Sequence, residues 1–157
     1  MAITIISNYR KPQAGIIQSP NPMLRLKSEP VAKIDDSIHR IVNQLTKVLK
    51  EVDKSNFPWL GMAAPQVGYN KRIIAIKRGF RQYTVMINPE VLEQKFLFPT
   101  ISGCYSLKGL YLTKSHYWFK IKYQDLEGRW NKYACWGGQA VMLQQELDHL
   151  DGKLVCD

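Results

Sequence analysis

The chain of 157 residues, 45% hydrophobic and 22% charged, has the size and balance of one globular domain able to bury a substantial core. Its apolar runs are only a few residues long, which excludes a membrane span, and the opening "MAITIISNYRKPQ" lacks the leading charge and apolar length of a secretory signal. Basic residues outnumber acidic ones, 22 to 13, for a net charge of +9. They are scattered, without a recognition helix or an aromatic RNA-binding signature. A generally basic surface is therefore favoured over a sequence-specific nucleic-acid site, although such a surface still suits acidic partners such as ribosomal RNA.

In chain order, the proline-rich "SPNPMLRLKSEPV" reads as an irregular entry segment. "DDSIHRIVNQLTKVLKEVDKS" then predicts an amphipathic helix, with Ile38, Ile41, Val42, Leu45, Val48, Leu49 and Val52 on one stripe. Asp35, Asp36 or Ser37 is positioned to cap it, and His39 falls on its solvated side. "RIIAIK" and "YTVMINP" are short β-rich runs, and "YLTKSHYWFKIKYQD" alternates as strands do. "DLEGRW" supplies a turn into a further strand, "NKYACW". Gly137 and Gly138 break that strand, and "QAVMLQQELDHLD" resumes helical spacing through Ala140, Leu143, Leu147 and Leu150. Helix, strands, helix, with no repeat or linker, predicts a single α+β domain over residues 1–157. Three widely spaced cysteines, Cys104, Cys135 and Cys156, argue against a disulfide framework and for a reducing compartment, the cytoplasm.

Three stretches carry chemistry. In "WLGMAAPQVG", Trp59 to Gly68, small residues allow close approach, and Gln66 offers an amide N–H to a developing oxyanion, although a glutamine in such a loop is more often structural. In "SGCYSLKG", Ser102 to Gly109, Cys104 is open to three readings: nucleophile, metal thiolate or plain buried thiol. In "QQELDHLDG", positions 145 and 149 share a helix face with Glu146 beside them, which is the layout of a His-Glu-x-x-His zinc helix with Gln145 in place of the first histidine.

In this order and spacing the three stretches resemble the signature motifs of the peptide deformylase family: "AAPQVG", the "GC-S" loop and "QELDHLDGKL". "INPEVL" and "PNPMLRLKSEPV" extend the resemblance over nearly the whole chain. It implies a deformylase-like fold, with antiparallel sheets around a central helix that bears the last motif. It also implies a hydrolase that removes formyl from N-formyl-methionyl nascent peptides, using iron, or zinc or nickel as substitutes, held by one cysteine and two histidines. In that chemistry the metal lowers the pKa of its water so that hydroxide attacks the formyl carbon. Carried over position by position, Cys104 and His149 would be ligands and Glu146 the acid/base. Gln66 and the backbone N–H of Tyr105 would stabilise the oxyanion, and Gly61 would border the substrate cleft.

Four positions depart from the family pattern. Gln145 takes the place of the first metal histidine, and an amide oxygen is a weak, hard ligand for iron or zinc. Trp59 takes the place of a glycine and is expected to narrow or fill the cleft unless it points away. Ser102 replaces a glutamate, and the arginine that would pair with it is missing too, with Ser115 or His116 near its place; losing both together avoids a lone buried charge. The chain runs out soon after "DGKL", so the further helix thought to help members dock on the ribosome is expected to be absent. The expectation is a diverged member that binds metal weakly or not at all and is weakened or inactive as a deformylase, with a non-catalytic peptide-binding module as the alternative.

Overall fold

The computed structural model describes residues 2–6, 12–53 and 57–157. Among them, six strands and two α-helices follow in order: β1 (Ile3–Ile6), α1 (Asp36–Val52), β2 (Trp59–Ala63), β3 (Ile73–Arg78), β4 (Tyr83–Gly103), β5 (Leu110–Gln124), β6 (Trp130–Trp136) and α2 (Gly138–Leu150). The strands form one sheet in the order β1-β5-β4-β3-β2, with β6 also paired to β5, and every strand pair is antiparallel. Among the described residues no helix is long and apolar enough to cross a membrane.

The two helices cover opposite faces of the sheet, and the period of two along β3 shows why. Ile73 and Ala75 pack with Ile38, Val42, Leu45 and Leu49 of α1. Ile74 and Ile76 point the other way and pack with Ala140, Leu143, Leu147 and Leu150 of α2. A strand covered on both faces has no polar alternation, as "IIAI" shows. The cap of α1 is Asp35, whose side chain accepts from the N–H of Ser37 and of Ile38 at 2.9 and 3.3 Å. Val52 is only partly buried at the end of the predicted stripe, and residues 54–55 of the predicted helix lie outside the described residues.

Three stretches differ from their sequence reading. The proline-rich entry contains a 3-10 turn, Pro22–Arg25, started by the Asn21 side chain. The glycine-rich "WLGMAAPQVG" is strand β2 followed by a 3-10 turn, Ala64–Val67, not an open loop. Strand β4 runs on well beyond "YTVMINP" to Gly103. Its middle shows no alternation because two bulges between Ile87 and Glu93 interrupt its register against β5 and most side chains from Glu90 to Leu97 face solvent.

The end of α1 is tied to the sheet by a buried ion pair. The Lys77 ammonium on β3 lies 2.8 Å from the Asp53 carboxylate, with the two side chains 5% and 7% exposed, and the Tyr83 hydroxyl donates to the same carboxylate. Removing one partner leaves the other charge buried and alone. Asp53→Ala should therefore lower the unfolding free energy in urea by about 3–5 kcal/mol, and Lys77→Met in the same chain should recover part of the loss. A loss below about 1 kcal/mol would mean that the pair is worth no more than a surface bridge.

Candidate active site between β2, the Cys104 loop and α2

The three chemistry-bearing stretches converge. Cys104, just past the end of β4, and His149, in the last turn of α2, meet with Sγ and Nε2 3.1 Å apart. Both are 1% exposed. Burial, with the Glu146 carboxyl close by, pushes the Cys104 thiol up to about 12, and burial pushes the His149 imidazole down to about 4. Both groups are thus neutral near pH 7, and the direction of the hydrogen bond between them is set by whether the ring proton sits on Nε2 or on Nδ1. That Nδ1 is buried and has no hydrogen-bond partner among the described residues.

Gln66 is pinned by its own turn. Its Oε1 accepts from the N–H of Ala63 at 2.9 Å, which leaves Nε2 to face Ser106 Oγ at 3.2 Å and Cys104 Sγ at 3.5 Å. The amide hydrogens are therefore directed at the cysteine loop. Ser106, which the sequence reading quoted without a role, also donates its N–H to Cys104 Sγ at 3.3 Å. Its signal was the fixed two-residue spacing from the cysteine. Tyr105 lines the cleft, and its backbone carbonyl accepts from Gln18 Nε2 at 2.9 Å.

Glu146 stands on the α2 turn before His149, 3% exposed, at the edge of a cleft of about 300 Å³. Burial first, and then the Asp148 carboxylate, push its carboxyl up to about 8, and its Oε2 has no hydrogen-bond partner among the described residues. Gly61 is what lets β2 pass this side chain. A Cβ there would sit 2.6 Å from Glu146 Cγ and 2.6 Å from Met142 Sδ. Met142 is a cleft residue the sequence reading missed, and its place one helical turn before Glu146 was the available signal.

Trp59 does not fill the cleft. Its ring lies against the start of α2, where a Cβ on Gly138 would come within 2.6 Å of it, and Phe57 meets it edge-on at 5.6 Å. The indole forms one wall of the opening and the space remains. The paired replacement at Ser102 also has a structural counterpart. Ser102 and Ser115 are both buried and both border a second cavity, of about 60 Å³, against Gln144, Gln145 and Asp148.

Gln145 decides whether this donor set fits a metal ion. Its amide faces the carbonyl oxygen of Gly103 at 3.3 Å. A carbonyl only accepts, so the atom facing it is the Nε2 nitrogen. The same amide acts on Cys104 as a hydrogen-bond donor. In this orientation the amide turns its nitrogen, and not its ligating oxygen, toward the cysteine loop. Among the described residues no three His, Cys, Asp or Glu side chains come together as a metal-binding group. Cys104 and His149 are the two side chains here with strong donor atoms, and the residues do not fit a three-ligand centre.

A cysteine loop and a Glu-x-x-His helix meeting beside an apolar cleft define a hydrolase-type site. The polypeptide deformylase family profile matches residues 13–157. The chain is 35% identical over 146 residues to the peptide deformylase of Alkalilimnicola ehrlichii, covering 90% of this chain and 79% of that one. It is 36% identical over 149 residues to that of Cellvibrio japonicus, covering 90% and 83%. Among solved structures, a peptide deformylase from Legionella pneumophila superposes with a TM-score of 0.82 at 26% identity, covering 93% of this chain and 84% of that one. One from Synechococcus elongatus, in complex with actinonin, superposes with 0.80 at 28% identity, covering 99% and 85%. This chain belongs to the polypeptide deformylase family.

The buried carboxyl gives the site a pH signature. Unfolded, Glu146 releases its proton near its ordinary value of 4.5; folded, it holds the proton up to about 8. Between those values unfolding releases a proton, so this group's contribution to stability is present at low pH and lost as pH rises through the window. The stability of Glu146→Gln relative to the parent, read from denaturant midpoints, should therefore rise between pH 5 and pH 8. A difference that does not change with pH would contradict the buried, protonated carboxyl.

Proposed function

We propose that this protein engages the formyl-methionyl end of nascent peptides in the cleft between β2 and α2 and deformylates it weakly or not at all. The family name defines the reaction that the fold serves, and the cleft of about 300 Å³ with apolar walls supports retained recognition of a peptide end. The observation that carries the loss of turnover is the Gln145 amide nitrogen set against the Gly103 carbonyl. Turning the amide so that its oxygen faced a cation would place that oxygen against the carbonyl and give up the bond. It would still supply only a weak ligand for iron, zinc or nickel.

Glu146 remains where an acid/base would stand, but in this chain it is a neutral acid at the cleft edge. Gln66 and the Cys104 loop keep their orientation through hydrogen bonds among themselves. A non-catalytic peptide-binding module is the second reading, favoured by the same open cleft. The proposed setting is the cytoplasm and, within it, the ribosome surface where formylated chains emerge.

Metal analysis joined to a formate-release assay tests the proposal. The purified protein should carry less than one iron, zinc or nickel per chain and release little formate from a formyl-methionyl peptide, while calorimetry detects binding of that peptide. Stoichiometric metal with robust turnover would overturn the loss of activity, and absence of peptide binding would overturn the retained cleft. Gln145→His should raise metal occupancy, because Cys104 and His149 already meet; an unchanged occupancy would contradict the role given to residue 145.

A further inference from the structure

The chain has four tryptophans, and three of them, Trp118, Trp130 and Trp136, fall on one face of the β5–β6 ribbon. Trp118 is the cross-strand partner of Trp136, Lys120 of Ala134, Lys122 of Lys132, and Gln124 of Trp130, so these side chains share one side of the sheet. The residues between them on β5, Phe119, Ile121 and Tyr123, point into the core that α2 covers. The tryptophan side is therefore the side away from α2. Trp136 is 67% and Trp130 53% exposed.

These exposed indoles are interleaved with cations. Lys122 Nζ lies 4.8 Å from the centre of the Trp130 ring, and Lys95 Nζ of β4 lies 5.2 Å from that of Trp118. Lys120 and Lys132 stand between the two ends. The acidic groups on this face, Glu90 and Glu93, lie on β4, away from β6, and pair there with Lys122 and Lys95. From the Trp118–Trp136 pair to Trp130 the strand rise gives about 20 Å. The result is a strip with exposed indoles at each end and ammonium groups between.

We propose that this face binds a single-stranded nucleic acid without sequence preference, with unpaired bases stacking on Trp136 and Trp130 and the phosphates running along Lys120 and Lys132. Charge complementarity names the occupant: flat π-faces spaced along a basic strip match a strand that carries one phosphate per stackable base. An acidic protein surface would answer the lysines but has no counterpart for the three indoles. The Gln124 amide on the strip is already bonded to Asn88 and to the Gly128 carbonyl, so the strand is held by stacking and charge. The residues come from both strands of the ribbon, in register, which is why the basic residues look scattered in the linear sequence.

Fluorescence anisotropy of labelled oligouridine with the full chain tests this, with oligodeoxythymidine of equal length expected to bind alike and a duplex weakly. Raising salt from about 50 to 200 mM should weaken binding about sevenfold, the dependence expected for two phosphate contacts on a single strand. Trp136→Ala should cost about tenfold in affinity. Lys120→Glu combined with Lys132→Glu should abolish binding, while Phe80→Ala, which removes an equally exposed aromatic off this face, should leave it unchanged. On the unmodified chain, oligouridine should shift the indole N–H resonances of Trp118, Trp130 and Trp136 and leave that of Trp59 in place. Absence of binding at low salt, variants that bind like the parent, or shifts produced by polyglutamate and not by the oligonucleotide would each overturn the proposal.

Discussion

The contact between the Cys104 thiol and the His149 imidazole joins two segments that are 45 residues apart in the chain, and the remaining site groups are arranged around it. It holds the loop after β4 against the last turn of α2. That in turn places Gln66 against the sulfur from one side and Gln145 against Gly103 from the other. Burial makes the junction neutral: a thiolate beside an imidazolium would place two charges where no water can solvate them. The site is therefore closed by hydrogen bonds between neutral groups. The glutamate next to it obeys the same constraint by keeping its proton.

Neighbouring residues fit the altered positions one by one. Trp59 finds its space over Gly138, where any side chain on the helix would collide with the indole. Ser102 and Ser115 face a small void together, and neither leaves an unpaired charge behind. Gln145 supplies a donor where a metal-bound imidazole would stand, so the cysteine loop keeps a tie to α2 without an ion. The changes at the chemistry left the packing intact, and for that reason fold and family can be read clearly while activity is a separate question.

Much of this was legible in the sequence because it rests on periodicity and spacing. The stripe of α1, its cap at Asp35, the alternation in β5 and the helical spacing of Gln145, Glu146 and His149 all follow from geometry that repeats along a chain. What was not legible depends on contacts between distant segments. The reach of β4 is set by its pairing with β5 and not by its own residues, many of which face solvent. Whether Trp59 blocks the cleft depends on the glycine opposite it, and which end of the Gln145 amide faces inward depends on a carbonyl contributed by another strand. The tryptophan–lysine face exists only once β5 and β6 are in register.

Thermal unfolding with and without added nickel or ferrous iron distinguishes a residue 145 that ties the site together as a hydrogen-bond donor from one that serves as a metal ligand. A cation bound by the folded chain at a hundred times its dissociation constant adds about 2.7 kcal/mol, on the order of 5–10 °C for a domain of this size. The account predicts that the midpoint of the parent chain does not move with either metal or with a chelator. A metal-dependent rise of that order in the parent would contradict it.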